Sequence, residues 1–270
     1  MIDAGDDGLD LPMRRIHPTA IIDPRAELDQ DVEVGPYSII GAQVKVGGGT
    51  RIRSHVVIAG NTTLGRNNLI FEFATLGNIP QDLKYKGEES QLILGRNNIV
   101  REYASLNPGT AGGGMITRIG DHNCLMMYCH IAHDCIIGSH NIIANGATLG
   151  GHVTIEDYVV VGGLVGIHQF VKIGTGAIVG AGSMVSKDVV PFCNVTGNRA
   201  QVHGLNLVGL KRRRFAPAQV EAIKQAYRIV FQSGLTARDA LARVRREIPD
   251  SREVATMVAF IESSQRGICR

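Results

Sequence analysis

From Ile16 onward the sequence falls into sixes: IHPTAI, IDPRAE, LDQDVE, VGPYSI, IGAQVK, VGGGTR, IRSHVV, IAGNTT, LGRNNL and IFEFAT. Each opens on Ile, Leu or Val, and the fifth place is mostly small. The phase survives a polar interruption and resumes at Leu94 with LGRNNI, VREYAS and LNPGTA; a second interruption around GGGMIT moves it by one, and from Ile119 to Val190 the reading is unbroken. An aliphatic residue at the first place and a small one at the preceding fifth place are two apart, the spacing at which strand side chains share a face. Each six is therefore a short strand with two inward side chains, followed by a turn at places three and four. Gly and Asn recur around these turns, where positive φ costs them little. A unit burying two side chains cannot hold a core alone, so the units must stack into a solenoid. Trp is absent, aromatics are 5% and Gly numbers 33, a composition that suits many tight turns better than a sandwich or a helical bundle.

The pattern resembles the hexapeptide-repeat transferases, which implies a mainly β fold: a left-handed parallel β-helix of triangular cross-section, three sixes to a coil. Spacing alone does not fix the hand. With such a coil, residues 18 apart in sequence lie about 4.8 Å apart along the axis. One corner then gathers Ala132, Gly150 and His168 in one column, His133, Gly151 and Gln169 in the next, and Asp134, His152 and Phe170 in a third. His130 joins them, pointing outward between inward Cys129 and Ile131.

A histidine beside a carboxylate is held in one tautomer with raised basicity, which suits a general base. Glycines next to it admit a substrate closely and leave backbone N–H groups for a developing oxyanion. The run CHIAHDC also has metal-ligand letters, and a γ-type carbonic anhydrase would use histidines on such a scaffold. Cys129 and Cys135, however, occupy inward fifth places while the histidines point out. Ligands on opposite sides of a strand cannot meet one ion, so the thiols read as core filler and no metal is expected.

The net charge of +3 hides an asymmetry: residues 211–270 hold 13 Lys+Arg against 6 Asp+Glu, a surplus of +7, which leaves −4 on the rest. A basic tail on an acidic body implies an anionic partner. Residues 1–15 form an acidic extension without the features of a secretory leader, and no run reaches the roughly 18 apolar residues of a membrane span. A cytoplasmic protein with reduced thiols follows as the expectation. The repeats occupy 16–195, interrupted by loops at about 78–91 and 111–118, and the first loop is a candidate for substrate contact. Residues 196–270 are a connector and a helical domain. FAPAQVEAIKQAYRIVFQSG reads as a helix from Pro217 to near Gly234, Thr236 and Asp239 start a second, and Asp250 and Glu253 a third. Before these, the basic run Lys211, Arg212, Arg213 and Arg214 could hold phosphates; nothing interleaves it with aromatics as nucleic-acid binding would require.

Taken in order, IHPTAI, NIPQDLKYKGE, HIAHDC, LGGHVT, GIHQF, GNRAQVHGLNLVGLKRR and a helical tail resemble, over nearly the whole chain, the UDP-N-acetylglucosamine O-acyltransferases of lipid A synthesis. The resemblance implies transfer of an (R)-3-hydroxyacyl group from acyl carrier protein to the glucosamine 3-OH of UDP-N-acetylglucosamine, by a homotrimer without a cofactor of its own. It implies His133 as base, Asp134 as its orienting partner and the Gly151 amide as oxyanion donor. His130, His152, His168 and Gln169 would line the site, Gln81, Asp82 and Lys84 would reach the sugar, and Asn206, Arg212 and Arg213 would hold the uridine diphosphate. Asn107 and Arg199 stand where the family often has His, and Val208 where it often has an acid. Ala181 lies near the position that sets acyl length and leaves that length open. Some members acylate a 3-amino analogue of the sugar. The related lipid A N-acyltransferases carry a separate N-terminal domain, for which a repeat starting at Ile16 leaves no room. A non-catalytic β-helical scaffold is the alternative from another class.

Overall fold

In the computed structural model, which describes residues 16–270, the sixes form short strands, most of two residues, in three sheets of nine, eight and ten strands, parallel throughout except where Gln201–Leu205 pairs antiparallel with Cys193–Thr196. Every third strand returns to the same sheet, so the chain winds as a parallel β-helix with three faces; the helix is left-handed. His130 pairs with Thr148 and Thr148 with Gly166, steps of 18 residues. The inward pairs are those expected. Cys129 and Ile131, Ala147 and Leu149, Val165 and Ile167 are all buried in one column. Burial of each large aliphatic contributes about 1.5–3 kcal/mol, and the column continues unbroken from Val32 to Val195.

Both interruptions leave the coil at one edge. The first separates strand Thr75–Leu76 from Gln91–Leu94, and the second separates Ser105–Leu106 from Ile116–Ile119. Thr75 pairs with Ser105 and Ser105 with His130, steps of 30 and 25 instead of 18. The register is nevertheless continuous, because fifth-place asparagines carry a hydrogen-bonded ladder through the interior. The Asn98 amide and side chain donate to Asn68 Oδ1 at 2.8 and 3.1 Å, and Asn123 does the same to Asn98 Oδ1 at 2.8 and 3.0 Å. The Asn141 amide then donates to Asn123 Oδ1 at 2.8 Å, and Val159 to Asn141 Oδ1 at 2.7 Å. A buried polar ladder of this kind is tolerated because each side-chain oxygen accepts from the next coil, and only at its last rung is a nitrogen, Asn141 Nδ2, left buried without a partner.

The tail is a second core packed on the last coil. Its helices are α1 (Leu207–Arg212), α2 (Pro217–Gln232), α3 (Ala237–Glu247) and α4 (Arg252–Ser263). α2 starts at Pro217, whose missing N–H costs nothing in the first turn, and α3 is capped by Thr236, which accepts from the Asp239 amide. Two readings need correction. The segment holding the basic run begins as the short helix α1, capped by Asn206. The cap of α4 is Ser251, accepting from the Val254 amide at 3.3 Å, and not Asp250; this setting buries Val254, Met257, Val258 and Ile261 against the other helices. The end of the chain pins this domain to the β-helix: Ser264 Oγ donates to buried Asp188 at 2.6 Å and the Cys269 amide to the Asp188 carbonyl at 2.8 Å. The proposed N-terminal extension, 1–15, lies outside the described residues.

Candidate active site

At the edge from which both interruptions emerge, His133, Asp134, Gly151 and His152 occupy turns stacked one coil apart, the His152 amide donating to the His133 carbonyl at 3.0 Å. Asp134 adopts φ +59°, a left-handed conformation that short polar side chains tolerate. The turn aims its carboxylate sideways along the edge, where His133 Nδ1 lies 2.8 Å from Oδ2. An ionised carboxylate can only accept, so Nδ1 carries a proton, and in the neutral ring Nε2 then presents the lone pair. The Asp134 side chain is fully buried and that of His133 is 15% exposed. The pair is thus anchored at one end and open at the other.

The second interruption wraps the carboxylate. The Thr110 amide donates to Asp134 Oδ1 at 3.0 Å and its hydroxyl to Oδ2 at 2.6 Å, while the Asp134 amide donates to Thr117 Oγ1 at 2.8 Å. Gly113 presses on the same group: a Cβ there would overlap Asp134 Cγ and His152 Cε1. Sequence reasoning missed Thr110, Gly113 and Thr117; the glycine-rich GTAGGG was the signal available.

Gly151 sits beside the imidazole so closely that a Cβ would lie 2.5 Å from His133 Cε1. Among the described residues its amide donates to no protein acceptor, so the N–H is free. His152 meets His133 edge-on with ring centroids 5.1 Å apart and stacks on Phe170 at 4.3 Å. Burial pushes the His152 imidazole below its usual value, Asp134 partly opposing it, and Asp82 also acts on this ring from the first interruption. His130, hydrogen-bonded through Nδ1 to Ser105 Oγ at 2.7 Å, is pushed down by burial and by His133. His168 and Gln169 lie exposed one coil further on, the His168 Nδ1 turned onto the Gln169 carbonyl at 3.0 Å. Gln81 and Lys84 are exposed on the first interruption. Asn107 anchors that interruption, donating through Nδ2 to the Asn78 carbonyl at 3.1 Å.

Donor atoms of His133, Asp134 and His152 lie within 4.8 Å of one another. Both Asp134 oxygens already accept hydrogen bonds, so the carboxylate is a fixed acceptor for the His133 imidazole. Cys129 and Cys135 are buried in the interior, as expected of core filler, and burial raises both thiols to about 12.

The basic residues are elsewhere. Arg213 lies over Tyr158 at 4.1 Å and Phe215 at 4.9 Å. Tyr158 belongs to a stack with His140 and His122 on the next edge of the prism, between strands Ile136–Ile137 and Ile142–Ile143. The Arg213 Nη1 is buried without a partner, and burial lowers the guanidinium from its ordinary value. Asn206, expected to bind ligand, is spent inside the chain: its Oδ1 accepts from the Gly209 amide at 2.9 Å and its Nδ2 donates to the Gly176 carbonyl at 3.0 Å. Arg212 is exposed at the end of α1, as is Val208 at its start and Arg199 before it.

Stacked hexapeptides carrying an oriented imidazole and a free amide at one edge define a transferase of the β-helical class. Residues 188–269 match the family described as Udp N-acetylglucosamine O-acyltransferase, domain 2, and residues 116–151 match the bacterial transferase hexapeptide family. The acyl-[acyl-carrier-protein]--UDP-N-acetylglucosamine O-acyltransferase of Paracidovorax citrulli is 52% identical over 96% of this chain and 100% of its own length, and that of Halorhodospira halophila 47% identical over the same shares. The structure of LpxA from Acinetobacter baumannii superposes with a TM-score of 0.93 at 47% identity, covering 95% of this chain and 100% of the other. The chain belongs to the acyl-[acyl-carrier-protein]--UDP-N-acetylglucosamine O-acyltransferase family.

Proposed function

We infer that this protein transfers an (R)-3-hydroxyacyl group from acyl carrier protein to the 3-OH of UDP-N-acetylglucosamine, the first step of lipid A biosynthesis. The observation that carries the chemistry is the anchored His133–Asp134 pair beside the free Gly151 amide. His133 Nε2 takes the proton of the sugar hydroxyl as its oxygen attacks the thioester carbonyl. The tetrahedral oxyanion is held by the Gly151 N–H; the C–S bond then breaks and the imidazolium returns its proton to the departing thiolate. A base of this kind supplies about 10²- to 10⁴-fold and one oxyanion donor about 10²- to 10³-fold, so the reaction needs no metal or cofactor beyond the carrier's phosphopantetheine. Among the described residues no helix is long and apolar enough to cross a membrane, in keeping with a cytoplasmic enzyme using a soluble carrier. The basic tail favours that acidic carrier electrostatically.

One chain holds its base on one edge and Arg213 on the next. A homotrimer in which the first edge of each subunit meets the second edge of its neighbour unites them, and the sheet between the two edges carries outward Ile136, 41% exposed. The purified protein is assayed with UDP-N-acetylglucosamine and hydroxyacyl carrier proteins of several lengths, beside His133→Ala and with a chelator. Undiminished turnover by His133→Ala overturns the base, and loss to the chelator overturns the metal-free reading. His133→Ala and Arg213→Ala, refolded together, regain activity if sites are shared between subunits; no recovery refutes the sharing.

A further inference from the structure

We propose that Thr110 is a positioning residue for proton transfer, holding the Asp134 carboxylate so that the His133 Nδ1–H has a single fixed acceptor. The inference rests on the acyl-transfer reading only for its kinetic arm.

Each polar atom of Thr110 is committed. Its amide donates to Asp134 Oδ1 at 3.0 Å, its hydroxyl to Oδ2 at 2.6 Å, and its carbonyl accepts from the amides of Gly113 and Met115 at 3.1 Å each. The residue is 2% exposed, so no water replaces these contacts cheaply. Because the loop closes on the Thr110 carbonyl, the side chain has no freedom to swing away. Oδ2 is the oxygen that accepts from His133 at 2.8 Å. The hydroxyl and the imidazole therefore share one acceptor, and the two donors fix the carboxylate against rotation about its Cβ–Cγ bond. Gly113 closes the remaining side, since no larger residue fits between the loop and Asp134 Cγ. Without the hydroxyl, Oδ2 keeps one strong donor, and the carboxylate can turn toward His152 Nε2, now 3.9 Å from Oδ2. The His133 ring then loses its fixed tautomer, and Nε2 is no longer always the free lone pair.

Thr110→Val keeps the branched shape and the backbone N–H and removes only the O–H; Thr110→Ala removes the branch as well; Thr110→Ser restores the donor. Expected are a 10- to 100-fold fall in kcat for the Val and Ala variants, with KM for both substrates within threefold of wild type, and a Ser variant within threefold in kcat. Nitrogen NMR of the resting enzyme at pH 8 should show His133 protonated on Nδ1 in the wild type and the Ser variant, and mixed tautomers in Val and Ala. Should Val fail to fold, Ala carries the same expectation. Equal impairment of Ser and Val, or an unmixed Nδ1–H tautomer in Val and Ala, overturns the proposal. The tautomer is read without substrates, so it stands or falls separately from the acyl-transfer reading, which fails on absence of wild-type turnover.

Discussion

Replacing Gly151 with Ala adds one methyl group at the tightest point of the site. Its Cβ would lie 2.5 Å from His133 Cε1, 2.7 Å from Nε2 and 3.1 Å from Nδ1. Ordinary carbon contacts need about 3.5 Å, so the ring must move by roughly 1 Å. It cannot do so and keep its 2.8 Å bond to Asp134. Misplacing a reacting group by about 1 Å costs on the order of 10²-fold in rate, or about 2.7 kcal/mol at 1.36 kcal/mol per decade. The amide N–H survives in alanine, so oxyanion stabilisation is kept and the loss is assigned to the ring. Steady-state assays of Gly151→Ala should give kcat about 100-fold down with both Michaelis constants little changed. In a His133→Ala background the ring is gone, and adding Gly151→Ala should cost almost nothing further. A single variant keeping more than a third of wild-type kcat, or a full second loss in the double variant, refutes the reasoning.

Asp134→Asn sets an NH₂ or an amide oxygen where the carboxylate accepted three donors, and kcat should drop by about 10²- to 10⁴-fold with thermal unfolding only modestly earlier. Asn107→Leu removes the bond to the Asn78 carbonyl; the first interruption loosens, and the Michaelis constant for the sugar nucleotide should rise more than kcat falls. Native Cys129 and Cys135, raised by burial to about 12, should resist a thiol reagent at pH 8 that modifies them after denaturation. For pH, burial lowers His130 and His152 in the folded state. The unfolded chain therefore binds more protons just below the ordinary histidine value of about 6.5. Stability is complete above that value and declines as pH falls through the window beneath it; His130→Gln should flatten the slope in chemical denaturation at pH 5–7.

Much of this site is legible in the sequence because the solenoid converts spacing into proximity. His133 and Gly151 are 18 apart and so are Asp134 and His152, and the strand register sets each pair side by side. Thr110 escapes that rule: it meets Asp134 across 24 residues, through a loop whose extra length breaks the count. The separation of Arg213 from His133 is hidden too, since nothing local in KRRR says to which edge the tail folds back. The cap of α4 was misplaced because Asp250 and Ser251 are equally good caps, and only packing of the helix behind them decides.

The asparagine ladder has a consequence for how such a chain can change. Rungs at Asn68, Asn98 and Asn123 bond to each other directly, so the interior registers coil against coil without reference to how much polypeptide lies between them. Segments of different length and chemistry can be exchanged at the edge that carries His133 while the imidazole stays at the same height. The solenoid behaves as a rack into which interchangeable loops are fitted.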